Sequence, residues 1–125
     1  MNEATRNENR RRALNTIEIA NRGRPNSVSF GLNETWEHAF SKFKVCWELM
    51  NDGDEFYTEV IFKDGKGRAD IVNLSDCSII EILHTETPEQ FEEKRLKYPT
   101  EFTRIMGLKT SNIMKRHYEN EEKMV

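Results

Sequence analysis

Two acidic residues are embedded in apolar sequence near the middle of the chain. Asp70 lies in GRADIV (residues 67–72), and Glu81 lies in IIEIL (residues 79–83) a short link later. An ionised carboxylate among β-branched side chains costs several kcal/mol unless a cation compensates its charge. A divalent cation such as Mg²⁺ prefers oxygen ligands and could be held between the two acids. The pair therefore predicts a metal site; the alternative is two ordinary salt bridges on a half-exposed sheet.

Strand alternation predicts where these acids point. Asp70 is expected on the same face as Val72, with Ala69 and Ile71 on the other face. Glu81 is expected to point away from the face that its two isoleucine neighbours share.

Other residues could complete such a site. Glu59, in the preceding apolar segment, is either a third acid or a solvated strand residue. His38 and Lys42 are one helical turn apart, so they either face the site or form an ordinary surface pair. His84 directly follows the second acidic strand, where it either contacts substrate or is solvated.

Three strands are predicted around these acids, over residues 55–62, 68–73 and 78–83. Their short links favour an antiparallel meander. After residue 99 the sequence fits a strand or a loop. Together with the helices below, this order predicts an α+β architecture in which helices cover one sheet.

Helices are predicted where apolar residues recur at helical spacing and polar residues can cap the ends. The first predicted helix covers residues 3–21, where Ala20 is the last apolar residue of the series, and the second begins after an Asn33 or Thr35 cap and ends at residues 51–54. The third begins after the Thr87 cap and runs from Pro88 to Lys97, and the fourth covers residues 111–123. We assign the aromatic stripe of the second helix to the core. That stripe comprises Trp36, Phe40, Phe43 and Trp47.

Composition limits the classes of protein. The formal charge of −3 and the pI near 5.7 argue against a surface that attracts nucleic acid everywhere. Positive charge is nevertheless concentrated near the start, where Arg10, Arg11 and Arg12 either contact phosphates or lie on a solvated, frayed helix. Residues 86–93 concentrate negative charge.

The two cysteines give no sign of a disulfide framework or a zinc site. Cys46 and Cys77 are far apart and form no CxxC motif, and Cys46 is expected to be a core thiol. No apolar run is long enough to cross a bilayer and residues 1–12 lack a secretory signal, so we expect a cytoplasmic protein with no membrane partner.

The order and spacing of these motifs resemble the PD-(D/E)xK nuclease superfamily over about residues 35–99. That superfamily places an acid on one strand and an E-x-K motif on the next, and the continuation of this chain is similar to its competence-type, archaeal or viral members. The matching segments are the helix with Glu37, His38 and Lys42, residues 57–60, 68–70 and 81–87, and the next helix with Lys94 and Tyr98-Pro99.

The resemblance implies a restriction-endonuclease-like core, a central mixed sheet flanked by helices, in a single nuclease-like domain over residues 1–125. Within it, residues 1–26 form a basic helix or arm, 34–99 the core motif region and 100–125 a C-terminal helical segment. The implied activity is hydrolysis of DNA phosphodiesters with Mg²⁺ or Mn²⁺ and no small-molecule cofactor, in a possible homodimer. The implied metal ligands are Asp70, Glu81, the Ile82 carbonyl, Glu59 and Glu37; the expected DNA contacts are Arg10, Arg11, Arg12, Arg68, His84 and Arg95.

Leu83 occupies the position of the lysine in E-x-K. Lys94 is our first candidate to replace that lysine, and Lys42 is the second. Two rival functions follow from the same sequence. An inactive member of the fold would bind DNA or a protein without cutting, and an interaction protein would use the acidic residues 86–93 to bind a basic partner.

Overall fold

The computed structural model describes residues 1–18 and 24–124, and within these ranges the chain forms helices on a central sheet. In chain order the elements are α1 (Glu3–Leu14), α2 (Trp36–Asn51), β1 (Phe56–Ile61), β2 (Arg68–Asn73), β3 (Ser78–Leu83), α3 (Pro88–Lys97), β4 (Arg104–Lys109) and α4 (Thr110–Met124).

The sheet has the strand order β1-β2-β3-β4. The first three strands form the expected antiparallel meander. β4 runs parallel to β3, from Ser78 opposite Arg104 to Leu83 opposite Lys109. Parallel neighbours need a crossover connection, which α3 supplies. The predicted α+β architecture with a mixed sheet and flanking helices is thus confirmed.

Apolar side chains cover both faces of the sheet. The first layer lies between the sheet, α1 and the segment after α3, and the second lies between the sheet, α2 and α4. The first layer includes Ala13, Ile17, Tyr57, Val60, Ala69, Val72, Ile79, Tyr98 and Phe102; the second includes Val45, Cys46, Phe56, Ile71, Ile80, Ile82 and Ile113.

The helix predictions hold for three helices and fail in part for α1. Thr35 caps α2, and Thr87 caps α3 in a reciprocal capping box with Gln90. The first helix was predicted to reach residue 21 but ends at Leu14. Ile17 instead forms a bridge to Phe62, because packing on the sheet edge draws this segment into extended backbone. Ala20 lies outside the described residues.

The assignment of the α2 aromatic stripe to the core is wrong for three of its four residues. Trp36, Phe43 and Trp47 are 59%, 48% and 47% exposed. A second set of α2 residues, including Val45 and Cys46, packs on the sheet and leaves the stripe on the outer side. The Cys46 prediction is confirmed: the thiol is buried, and burial raises its pKa to about 12.

Across the part of the chain that the structure describes, none of the helices combines the length and apolar character needed to span a bilayer.

Candidate active site

Three acidic residues lie in one row across the sheet. Glu59 lies between the pairs Thr58–Ile71 and Val60–Ala69, so the register of β1 continued through it leads to Asp70. Extending the register of β2 with β3 by one position leads from Asp70 to Glu81. We call these three residues the acid row. The row lies beyond the last backbone pair of β2 with β3, Ile71 with Ile80.

The backbones of β2 and β3 separate at the acid row, and carboxylates fill the gap. The Ile82 N–H donates to Asp70 Oδ2 over 2.8 Å, and the Asp70 N–H donates to Glu81 Oε1 over 3.2 Å. Side-chain oxygens therefore accept amide protons that a continued ladder would pair with carbonyls. This replacement fixes both carboxylates beside each other at the opening between the strands.

The predicted orientation of Asp70 is wrong. Ala69 packs in the first layer with Val72, whereas Ile71 packs in the second layer. Regular alternation would place Ala69 and Ile71 together. Alternation breaks at Asp70, and its carboxylate lies on the α2 side, with Oδ2 3.4 Å from His38 Nε2.

The alternation of side chains is also interrupted in β1, at Glu59, and here the backbone conformation explains the interruption. Its φ of 52° is in the left-handed region, which costs a non-glycine residue about 1–2 kcal/mol. Tyr57 and Val60 consequently pack in the same layer, although they are three residues apart. The Glu59 carboxylate lies on the α2 side, where Oε1 is 2.7 Å from Lys42 Nζ and Oε2 is 3.3 Å from Arg68 Nε. Glu59 is therefore a partly buried residue paired with two cations, and its role as a third acid of the site stays a prediction.

A chain of alternating charges joins α2 to the acid row. The Lys42 side chain is completely buried, and its Nζ lies 2.8 Å from Glu34 Oε1 as well as close to Glu59. His38 bridges Glu34 and Asp70, with Nδ1 2.5 Å from Glu34 Oε1. His38 and Lys42 therefore form no ordinary surface pair. Glu34 was missed in the sequence, although its i, i+4, i+8 spacing with His38 and Lys42 is the signal that could have revealed it.

The ionisable groups in this series of alternating charges shift one another's pKa values. The hydrogen bond to Asp70, supported by Glu34, raises the pKa of His38 to about 9 despite burial. Burial alone would raise the pKa of Asp70, but His38 and the Ile82 amide hold it below its usual value. Burial would lower the pKa of Lys42, but its carboxylate neighbours raise it. At neutral pH, His38 and Lys42 are therefore cations and Asp70 is an anion.

Glu81 is in a different environment. It is 2% exposed, and burial followed by the negative charge of Asp70 raises its pKa to about 8. The Tyr98 hydroxyl donates to Glu81 Oε1 over 2.8 Å, and Lys94 Nζ lies 4.0 Å from Oε2. The Asp70–Glu81 pair therefore retains one proton at neutral pH, because the nearby cations do not fully balance two buried charges.

Position 83 contributes packing and not charge. Leu83 is almost fully buried beside β4, and a Cβ added at Gly107 would lie 2.7 Å from Leu83 Cδ1 and 3.0 Å from Phe91 Cζ. Leu83 and Phe91 of α3 therefore both lie against Gly107, and the same helix brings Lys94 to Glu81. Lys94 therefore lies close to Glu81, and its role as the replacement for the E-x-K lysine stays a prediction.

The α2 side of the acid row faces a cleft of about 340 Å³ that Glu81 does not line. Asp70 and Glu59 line it together with Glu34, His38 and Arg68, and Arg68 is 64% exposed at its edge. An adjacent depression is lined by His38 and His84, and His84 Nδ1 is 3.0 Å from Thr110 Oγ1.

Several predicted site residues are not brought to the acid row. Arg10 is paired with Glu55, Arg11 with Glu8, Arg12 with the Glu101 carbonyl and Arg95 with Glu92. Glu37 lies in the first turn of α2, and Glu34 reaches the site in its place. Ile82 takes part through its N–H. DNA contacts by the four arginines and metal contacts by Glu37 and the Ile82 carbonyl stay predictions.

The donor set at the strand opening consists of carboxylate oxygens. Among the described residues, no group of three or more His, Cys, Asp or Glu side chains is arranged to hold a metal. Mg²⁺ usually takes one or two carboxylates and completes its octahedron with water and substrate phosphate. The Asp70–Glu81 pair suits that demand, since it supplies two hard oxygen ligands whose charges the nearby cations do not fully balance. It does not suit zinc, which favours tetrahedral nitrogen and sulfur sites.

Comparison with protein-family models, curated proteins and solved structures finds no match for this chain, so its function is argued from the site alone.

Proposed function

We propose that this protein is a metal-dependent nuclease of the PD-(D/E)xK type, with a restriction-endonuclease-like core, that hydrolyses DNA phosphodiesters. One observation carries the proposal: Asp70 and Glu81 meet where β2 and β3 separate, each accepting an amide proton of the opposite strand. A purely structural ion pair has no need of two adjacent carboxylates at this opening. Two such acids do serve to hold a metal against a phosphate.

Asp70 and Glu81 would hold Mg²⁺ or Mn²⁺. When bound, the metal would act as a Lewis acid on the phosphate and lower the pKa of a bound water toward neutrality. The ion would also supply the positive charge that the pair lacks, so Glu81 would release its proton on binding. Glu59 faces Lys42 and Arg68 and would act as a neighbour of the metal site.

The lysines have different roles in this proposal. Lys94 is 48% exposed and lies near Glu81, so its ammonium group can reach a phosphate in the opening and stabilise charge that develops there. Lys42 is completely buried between two carboxylates and would position Glu59 and Glu34 without touching substrate. Arg68 would orient the phosphate backbone at the edge of the cleft.

The test is cleavage of supercoiled and single-stranded DNA in Mg²⁺ and in Mn²⁺. Asp70→Asn and Glu81→Gln should each reduce the rate at least 100-fold, and Lys94→Met should reduce it at least 10-fold. Glu92→Gln is the matched control, because Glu92 is an exposed acid of α3 paired with Arg95. The proposal fails if the wild type is inert with both metals, or if both acid variants retain full activity.

A second candidate is a protein of the same fold that binds DNA without cutting it. Two observations favour it: Leu83 replaces the strand lysine, and His38 already neutralises Asp70. In that case DNA binding should occur without metal and should survive Asp70→Asn. A nuclease instead predicts binding that Mg²⁺ or Ca²⁺ strengthens and that Asp70→Asn weakens.

A further inference from the structure

The outer side of α2 carries a regular apolar stripe. Its residues, Trp36, Phe40, Phe43, Trp47 and Met50, are separated by four, three, four and three positions. We call them the outer stripe. Four of the five are more than 40% exposed, and Phe40 is half-buried. The sheet-facing side of α2 is a different set of residues, so the outer stripe is not needed to hold α2 on the sheet.

The spacing of the outer stripe identifies the shape of its partner. Alternating steps of three and four keep apolar side chains in one line along a helix and form the seam along which two helices pack. The stripe spans fourteen residue steps, or about 21 Å at the helical rise. An extended strand or a flat surface would not follow such a line, so the partner that fits is a second helix.

A groove beside the stripe shows where that helix would lie. Phe40 packs edge-on against His117 of α4, with ring centroids 5.1 Å apart. Next to this contact, Phe40, Phe43, Lys44, Trp47 and His117 line a groove of about 250 Å³. Of these five lining residues only Lys44 carries a permanent charge. Covering the groove would therefore cost little desolvation of charge.

The exposed area suits a weak dimer. Trp36, Phe43 and Trp47 are each about half exposed, which leaves roughly 300 Å² of aromatic surface if a full ring contributes 150–250 Å². Met50 and the polar residues around the stripe add to this. A standard interface buries about 800 Å² per partner, so a copy of the same stripe would form an interface at the small end of the range.

We propose that the outer stripe is a self-association surface, on which α2 of a second copy packs antiparallel about a two-fold axis near Phe43. Antiparallel packing centred on Phe43 places Trp36 against Met50 of the other copy, and Phe40 against Trp47. On either side of the central contact of Phe43 with its own copy, each level then pairs a larger side chain with a smaller one, whereas a parallel arrangement would stack tryptophan on tryptophan twice. A two-fold axis needs only this one self-complementary patch.

Intrinsic fluorescence gives a direct test, because the only two tryptophans in the chain, Trp36 and Trp47, both belong to the outer stripe. Sedimentation velocity and tryptophan emission would be recorded on the full chain from low micromolar to several hundred micromolar. We expect a monomer–dimer equilibrium in this range, together with a blue shift of emission and reduced acrylamide quenching as the dimer forms.

Two variants distinguish association through the outer stripe from nonspecific hydrophobic association. Phe43→Glu places a charge at the two-fold axis and should raise the dissociation constant at least 10-fold, with an unchanged circular dichroism spectrum. Leu96→Glu is the matched control, since Leu96 is a 76% exposed apolar residue of α3, and it should leave the equilibrium unchanged.

The proposal is overturned if the protein is monomeric at the highest concentration, or if Leu96→Glu disrupts dimers while Phe43→Glu does not. A tryptophan blue shift that appears only on addition of DNA would also overturn it and assign the stripe to nucleic-acid contact. These results do not depend on nuclease activity.

Discussion

Replacing Lys42 with methionine is the most direct perturbation of the site's electrostatics. Methionine keeps the length and most of the volume of the side chain but removes the charge. In the native protein the ammonium group lies 2.7 Å from Glu59 and 2.8 Å from Glu34, with no exposure to solvent. The substitution leaves these two carboxylates facing each other across an apolar side chain.

The expected loss of stability is large. Removing one partner of a buried ion pair costs about 3–5 kcal/mol, because the remaining charge has neither its partner nor water. Glu34 keeps its contact with His38, and Glu59 keeps Arg68 at 3.3 Å, so the lower half of that range applies. A domain is typically stable by about 5–15 kcal/mol, so Lys42→Met should remain folded with a clearly reduced midpoint.

Urea unfolding at neutral pH, followed by circular dichroism, measures this loss. Lys115→Met on the exposed side of α4 is the control and should change the free energy of unfolding by less than about 0.5 kcal/mol. The double variant Lys42→Met/Glu59→Gln should recover at least about 1 kcal/mol, because it removes one of the unpaired charges. A loss below about 1 kcal/mol in Lys42→Met, or no recovery in the double variant, would refute the assignment of Lys42 as a buried counter-ion.

Three further predictions concern the acid pair and its support. The folded state holds protons more tightly than the unfolded state at both Glu81 (pKa about 8) and His38 (pKa about 9), so the free energy of unfolding should fall as pH rises from about 5 to 9. Urea titrations across that range measure the fall, and Glu81→Gln should reduce its slope. Tyr98→Phe removes a hydrogen bond to Glu81 and should cost about 1–3 kcal/mol, more at pH 9 than at pH 6, in the same assay. Gly107→Ala places a methyl group 2.7 Å from Leu83 Cδ1 and should lower stability by about 1–3 kcal/mol, visible as a lower melting temperature.

The sequence was sufficient for the strands that carry the site. The predicted bounds of β2 and β3 match the structure, because glycine-containing and polar turns interrupt strongly apolar segments. The register that brings Asp70 opposite Glu81 follows from these bounds and the short connection. β4 was less clear, since its pairing with β3 is parallel and depends on the α3 crossover more than on any local signal.

The sequence was misleading for α2. Periodicity assigns its four aromatic residues, Trp36, Phe40, Phe43 and Trp47, to the core, whereas the side that packs on the sheet includes Ser41 and Lys42. Helical periodicity shows that a face is apolar but not what covers it. A lysine can occupy a wholly buried position here because Glu34 and Glu59 both pair with its ammonium group. These two residues lie in a loop and in a separate strand, so the helix sequence alone does not reveal the pairing.

The orientation of the acid row could not be read from strand alternation. Alternation assumes β geometry at every residue, and Glu59 departs from it with a φ of 52°. Lys42 holds the Glu59 carboxylate on the α2 side and so favours a backbone conformation that glutamate alone would avoid. Asp70 turns to the same side in the next strand, toward His38.

Glu81 keeps the regular alternation of β3 and meets Tyr98 and Lys94 on the α3 side. Asp70 and Glu81 therefore approach each other from opposite faces of the sheet, through the opening between their strands. This geometry accounts for the two separate groups of cations, one from α2 and one from α3. Leu83 is a packing residue in this arrangement: it lies with Phe91 of α3 against Gly107, whereas Lys94 of the same helix is 48% exposed and reaches Glu81.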